Sequence, residues 1–133
     1  MTAREWPGPI TALTLFADDL PTTRQFYLDL FGLPVVYEDA SSCVFRLGET
    51  MLNLLSIDSA PELVAPGTVA DAHAGARFVL TVEVDDVDAK AAEVKAKGVE
   101  LLNGPMDRPW GVRTASFRDP SGHVWEIARE IAR

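Results

Sequence analysis

The feature that most constrains this chain is an internal repeat. LFADDL (15–20) and VEVDDV (82–87) are each followed by a helix-forming run, a glycine and a further set of strand-like runs. Asp19 and Asp86 stand about half of the 133 residues apart. The pattern reads as two copies of a βαβββ unit. In one such unit the helix covers one face of the sheet and leaves the other bare. Two units can close their bare faces into a shared concave groove, which is then the natural place for a site.

The runs between the markers fit this plan. Residues 10–17 (ITALTLFA) are rich in β-branched and aromatic side chains and predict a strand. An Asp before Leu20-Pro21 predicts a helix start, because proline in the first turn lacks only an N–H that has no partner anyway. The helix runs over 21–31, turns Phe26, Tyr27 and Leu30 toward a sheet, and stops at Gly32. LPVVYED, SSCVFRL and ETMLNLLSI predict three strands, which completes a first module over about 10–57. Residues 58–76 carry Ala, Pro, Gly and Asp without a period and predict a linker or flap with room for one helical turn. A second module follows over about 77–131. RFVLTVEV is a strand, AKAAEVKAKG a helix stopped at Gly98, VELLN a strand and GPMDRPW a loop. GVRTASFR and HVWEIARE are strands joined by the turn DPSG. The expected class is α+β, with two tandem βαβββ modules and a concave mixed sheet.

Charge and cysteine usage narrow the function. Twelve Lys and Arg against 20 Asp and Glu give a net charge of −8. Such a balance argues against nucleic acid and against an anionic membrane surface. Cys43 is the single cysteine. It lies in an apolar strand-like run, so it reads as a core thiol in a reducing cytoplasm. MTAREWPGP lacks the apolar stretch of a secretory leader. No apolar run approaches the ~20 residues that span a bilayer. A glycine-rich phosphate loop and a Ser/His/Asp set are both missing. Asp85, Asp86 and Asp88 fit helix capping better than a metal cluster.

DDLPTTRQFYLDLFGLPV (18–35), VEVDDVDAKAAEVKAKGVEL (82–101) and WGVRTASFRDPSGHVWEI (110–127) together resemble the vicinal oxygen chelate superfamily. That superfamily includes glyoxalases, extradiol dioxygenases and bleomycin-resistance proteins, and the likeness spans about residues 10–130. It implies a groove whose metalloenzyme members place a divalent cation on four strands, with His and Glu as ligands. By spacing from the motifs those positions are Ala12, Asn53, Val79 and Glu126. Alanine and valine cannot ligate and asparagine is a weak donor, so the resemblance implies neither a metal nor another cofactor here. His73 falls in the linker. Strand alternation puts His123 on the face of Trp125, opposite Glu126.

A carboxylate on a mostly apolar strand needs an explanation, since an unpaired buried charge is costly. Alternation puts Ala12, Thr14 and Phe16 on the groove face with Met51, Asn53, Leu55, Val79 and Thr81. A four-residue DPSG turn would set Ala115 opposite Glu126 and Arg113 diagonal to it. Glu126 and Arg113 then form either a structural ion pair or a polar anchor for a ligand. Trp110 in its Pro/Gly loop is placed to stack on a ligand, with Met106 as an adaptable neighbour. Tyr37 and Phe45 could add aromatic surface or pack in the core. WGVR…DPSGH resembles the metal-free, antibiotic-binding branch of the superfamily. This implies a cytoplasmic homodimer that sequesters a bulky aromatic or cationic natural product, such as a glycopeptide antibiotic, for self-resistance or carriage. Two enzymatic alternatives stay open: a metal-dependent lyase or dioxygenase, and a metal-free isomerase or cyclase with Glu126 as general base.

Overall fold

A computed structural model describes residues 5–131. Residues 1–4, the head of the stretch read above for a leader, and 132–133 lie outside them. The first module is β1 (Ala12–Ala17), α1 (Leu20–Phe31), β2 (Val35–Glu38), β3 (Ser42–Leu47) and β4 (Thr50–Ser56). A 3-10 turn (Ile57–Ser59) and one turn of helix, α2 (Pro61–Val64), follow. The second module is β5 (Val79–Glu83), α3 (Val87–Ala96), β6 (Leu101–Asp107), β7 (Val112–Arg118) and β8 (Val124–Glu130).

The repeated aspartate does the same work in both modules. Asp19 and Asp86 sit in extended conformation just before their helices, and each carboxylate accepts a backbone N–H of the first turn, Thr22 at 3.1 Å and Ala89 at 3.0 Å. Such caps contribute about 1 kcal/mol each. Gly32 ends α1 with a φ of 62°, in the left-handed region, and gives its N–H to the Leu28 carbonyl.

Each module forms one four-stranded sheet, in the orders β1-β4-β3-β2 and β5-β8-β7-β6. The first pair of each is parallel and the rest antiparallel. One face of the first sheet buries Leu15, Cys43, Phe45, Leu52 and Leu54. One face of the second buries Ala115, Phe117, Trp125 and Ile127. Both sets join Tyr27 of α1 and Val87, Ala91 and Val94 of α3 in a single core. Phe31 and Tyr27 meet Trp125 at ring-centre distances of 5.0 and 6.0 Å, so α1 packs on the second module as well as its own. The helices therefore lie between two sheets that turn their backs on each other, and the other faces of the sheets point away from the shared core.

A buried polar chain crosses the same seam. Trp125 Nε1 donates to the Tyr27 hydroxyl at 2.8 Å, which donates to Asp119 Oδ2 at 2.6 Å. Asp119 Oδ2 also meets His123 Nδ1 at 2.8 Å. Thr23 and Ser121 share a hydroxyl bond of 3.1 Å.

Two elements differ from the sequence expectation. GPMD is the end of strand β6 and not a loop. Gly104 has a φ of 84°, and a Cβ there would stand 2.4 Å from the Thr114 carbonyl oxygen. Only glycine lets the chain pass so close, and a bulge between Asn103 and Met106 absorbs Gly104 and Pro105 before pairing resumes. The second difference is the last hairpin. Arg118 pairs with Val124 and Ser116 with Glu126, one residue out of the expected register. Asp119 holds His123 inside the turn: its N–H bonds to the His123 carbonyl, and its carboxylate accepts the N–H groups of Ser121 and His123. Residues 119–123 thus form a longer turn than DPSG.

The segment between the modules touches this turn. A Cβ on Gly122, whose φ is 93°, would stand 2.7 Å from the Ala72 carbonyl oxygen. The flap is seated there on glycine.

Candidate functional site

Each sheet offers one face that the core does not use. On the first, Ala12, Thr14 and Phe16 pair in register with Met51, Asn53 and Leu55. Asn53 Nδ2 donates to Thr14 Oγ1 at 3.3 Å. Asn53 Oδ1 is buried and has no hydrogen-bond partner among the described residues. A buried acceptor left open is costly, so Asn53 is the polar group of this face with hydrogen-bonding capacity to spare. Tyr37 pairs with Val44, itself paired with Asn53, so it falls on the same face. Its hydroxyl donates to Asp39.

Phe45 does not belong to this face. It is wholly buried, alternates with Val44 and packs toward Tyr27. Strand alternation with Cys43 and Phe45 inward is what the apolar spacing of β3 requires.

On the second face, Thr81 Oγ1 donates to Glu126 Oε1 at 3.0 Å. Thr81 pairs with Glu126, and Ser116 flanks it on the other side. Val79 pairs with Val124 along the same rows. Glu126 is therefore held by a hydroxyl and not by Arg113. The one-residue register change carries Arg113 to the helix-facing side. There it forms a fork with Asp88 at 2.8 and 2.9 Å and a further bond with Asp107 at 2.8 Å. These bonds raise the Arg113 pKa, and they hold Asp88 below the usual carboxylate range.

Met106 pairs with Thr114 and so stands on the groove face. Trp110, 63% exposed, sits in the turn between β6 and β7. The sequence reading missed Arg108 beside it. Arg108 Nε donates to Thr114 Oγ1 at 3.0 Å, and Nη2 donates to Asn103 Oδ1 at 3.2 Å. Its guanidinium carbon lies 5.9 Å from the Trp110 ring centre. Asn103 pairs with Ser116, so these bonds lie on the face of Glu126. The signal was present in MDR, where Met106 and Arg108 stand two apart at the end of an extended run, but the loop reading of 104–110 hid it.

The four positions that the resemblance marks for metal ligands hold Ala12, Asn53, Val79 and Glu126. Two have no donor atom, and Asn53 and Glu126 lie on different sheets. Even brought together across two chains they supply one amide oxygen and one carboxylate. Among the described residues no group of three His, Cys, Asp or Glu side chains is arranged to hold a metal. His123 is turned to Asp119, and His73 lies in the flap. The donor set does not fit a divalent cation.

Residues 10–127 match the model of a family described as the Glyoxalase/Bleomycin resistance protein/Dioxygenase superfamily. The chain is 34% identical over 123 residues to a Bacillus subtilis (strain 168) protein described as "Uncharacterized protein YraH", covering 90% of this chain and 96% of that one. A glyoxalase/bleomycin resistance protein/dioxygenase from Nocardioides superposes with a TM-score of 0.83 at 24% identity, covering 98% of this chain and 87% of that one. A structure described as a lactoylglutathione lyase from Agrobacterium tumefaciens superposes with a TM-score of 0.74 at 25% identity, covering 92% and 93%.

Proposed function

The chain belongs to the Glyoxalase/Bleomycin resistance protein/Dioxygenase superfamily, and from that premise we propose that it is a metal-independent binding protein that sequesters a bulky aromatic compound. The observation that carries this reading is the make-up of the two free faces. Phe16, Met51, Leu55, Met106 and Trp110 offer apolar and aromatic wall. Asn53 Oδ1 and Glu126 offer two acceptors. A few polar groups set in an apolar wall suit recognition of a small molecule by contact and shape.

One chain supplies two half-faces that point apart, so a complete cleft needs two chains. The reading is of a homodimer in which the first module of one copy faces the second module of the other, giving two clefts. Its natural product or toxic metabolite would be held in the cytoplasm, for resistance or carriage.

A thermal-shift screen with polycyclic and glycopeptide antibiotics tests this. A binder should raise Tm by mass action, about 2.7 kcal/mol of added stability at a hundredfold excess over Kd. Glu126→Gln should weaken that binder about tenfold and leave it chemically unchanged. Conversion of the compound by the wild type, lost in Glu126→Gln, would make Glu126 a general base and overturn the binding reading. Stoichiometric metal in purified protein would overturn metal independence.

A further inference from the structure

We infer that Arg108 is an anion subsite of the groove and that the bound compound carries a carboxylate beside its aromatic body. The inference rests on the binding reading above and names the chemistry of one end of the ligand.

The first ground is charge. Arg24 is paired with Glu38, Arg113 with Asp88 and Asp107, and Arg129 lies 3.7 Å from Asp85. Arg46, Arg77 and Arg118 are exposed, where water serves the charge. Arg108 is half-buried, yet among the described residues no carboxylate lies within ion-pair distance of it. A partly desolvated guanidinium held only by neutral groups has an unmet demand for an anion.

The second ground is geometry. Guanidinium presents its donors in a rigid plane. The edge formed by Nε and Nη2 is taken up by Thr114 Oγ1 and Asn103 Oδ1. These two bonds fix the plane and leave the other edge, Nη1 with the second Nη2 hydrogen, without a partner among the described residues. Two parallel N–H groups on one edge match the two oxygens of a carboxylate. The Trp110 ring beside the guanidinium and Met106 near the end of β6 supply wall for an aromatic body attached to it. A purely structural role, pinning the β6–β7 turn, would use the same two bonds but would give no preference among ligand charges.

The test is calorimetric titration of the full chain with 2-naphthoate and with 2-naphthamide, equal in shape and different in charge. The wild type should prefer the acid by about tenfold or more, the usual worth of a charge-assisted pair. Arg108→Gln should abolish the preference for the acid over the amide, whatever it does to the affinity for either. Arg108→Lys, which keeps the charge and loses the fork, should fall between. Equal binding of both probes to the wild type overturns the subsite and leaves the groove standing. A preference that survives in Arg108→Gln overturns the assignment to Arg108. Binding of neither probe overturns the groove reading and the subsite together.

Discussion

The Tyr27 hydroxyl lies between Trp125 and Asp119, and both of its bonds run from the first module to the second. Replacing it by phenylalanine strands a buried indole N–H and removes a donor from a buried carboxylate. Tyr27→Phe should cost about 3 kcal/mol in urea denaturation. Burial, and then the Asp119 charge, push the hydroxyl's pKa well up. The folded chain therefore keeps this proton where the unfolded chain gives it up. Its share of stability is complete below the ordinary tyrosine pKa of about 10 and is lost as pH rises beyond it. The Tm of the wild type should fall above that pH, and more steeply than that of Tyr27→Phe. At this scale much could be read directly. Asp19 and Asp86 are short acceptors just ahead of helix-forming runs, and their chemistry is local. Phe45 was ambiguous because an aromatic on a strand fits either face until its neighbours fix the pleat. Arg113 was misplaced because its face depends on the number of residues in a turn several positions away.

Among the elements, β6 is the one that depends on a single residue. Gly104 brings the strand against β7 where a side chain would strike the Thr114 carbonyl. Gly104→Ala should destabilise the fold by about 2 kcal/mol or more, measured by thermal and urea melts, and should disturb Arg108 and Met106 beyond it. A Gly-Pro pair normally ends a strand, so only the partner strand could reveal that this one continues. The Arg113 fork ties β7 to α3 through Asp88. Because Asp88 titrates lower when folded, its contribution is complete above the unfolded carboxylate pKa of about 4 and is lost as pH falls through the folded value. Arg113→Gln should melt below the wild type at pH 6, and the two Tm values should converge as the pH approaches 2.

For the molecule as a whole, the repeat made the two sheets legible, because each Asp-helix-glycine unit dictates its own local structure. How the two units sit together was not legible. Apolar faces are equally able to pack helix-to-helix within a chain or sheet-to-sheet, and the choice rests on contacts such as Phe31 with Trp125 that join distant residues. β1 and β5 end their sheets, and Ile10, Phe78 and Val79 lie exposed along them. In the proposed homodimer the second copy would cover these edges. Analytical ultracentrifugation should find twice the chain mass for the wild type, and Phe78→Glu should shift it toward the single chain and lose the thermal response to ligand.

In the proposed homodimer, sheets set back to back would make every chain donate its Asn53 half to one cleft and its Glu126 half to another. Defects in the two halves should then complement one another in trans. Purified Asn53→Ala and Glu126→Gln proteins, each impaired alone, would be unfolded together and refolded as a mixture. About half of the resulting pairs are hybrids by random assortment, and each hybrid gathers both lesions into one cleft and leaves the other whole. Recovery of full-affinity binding at about a quarter of all clefts would be the signature of that exchange, and a mixture no better than its parents would mean that each chain works alone.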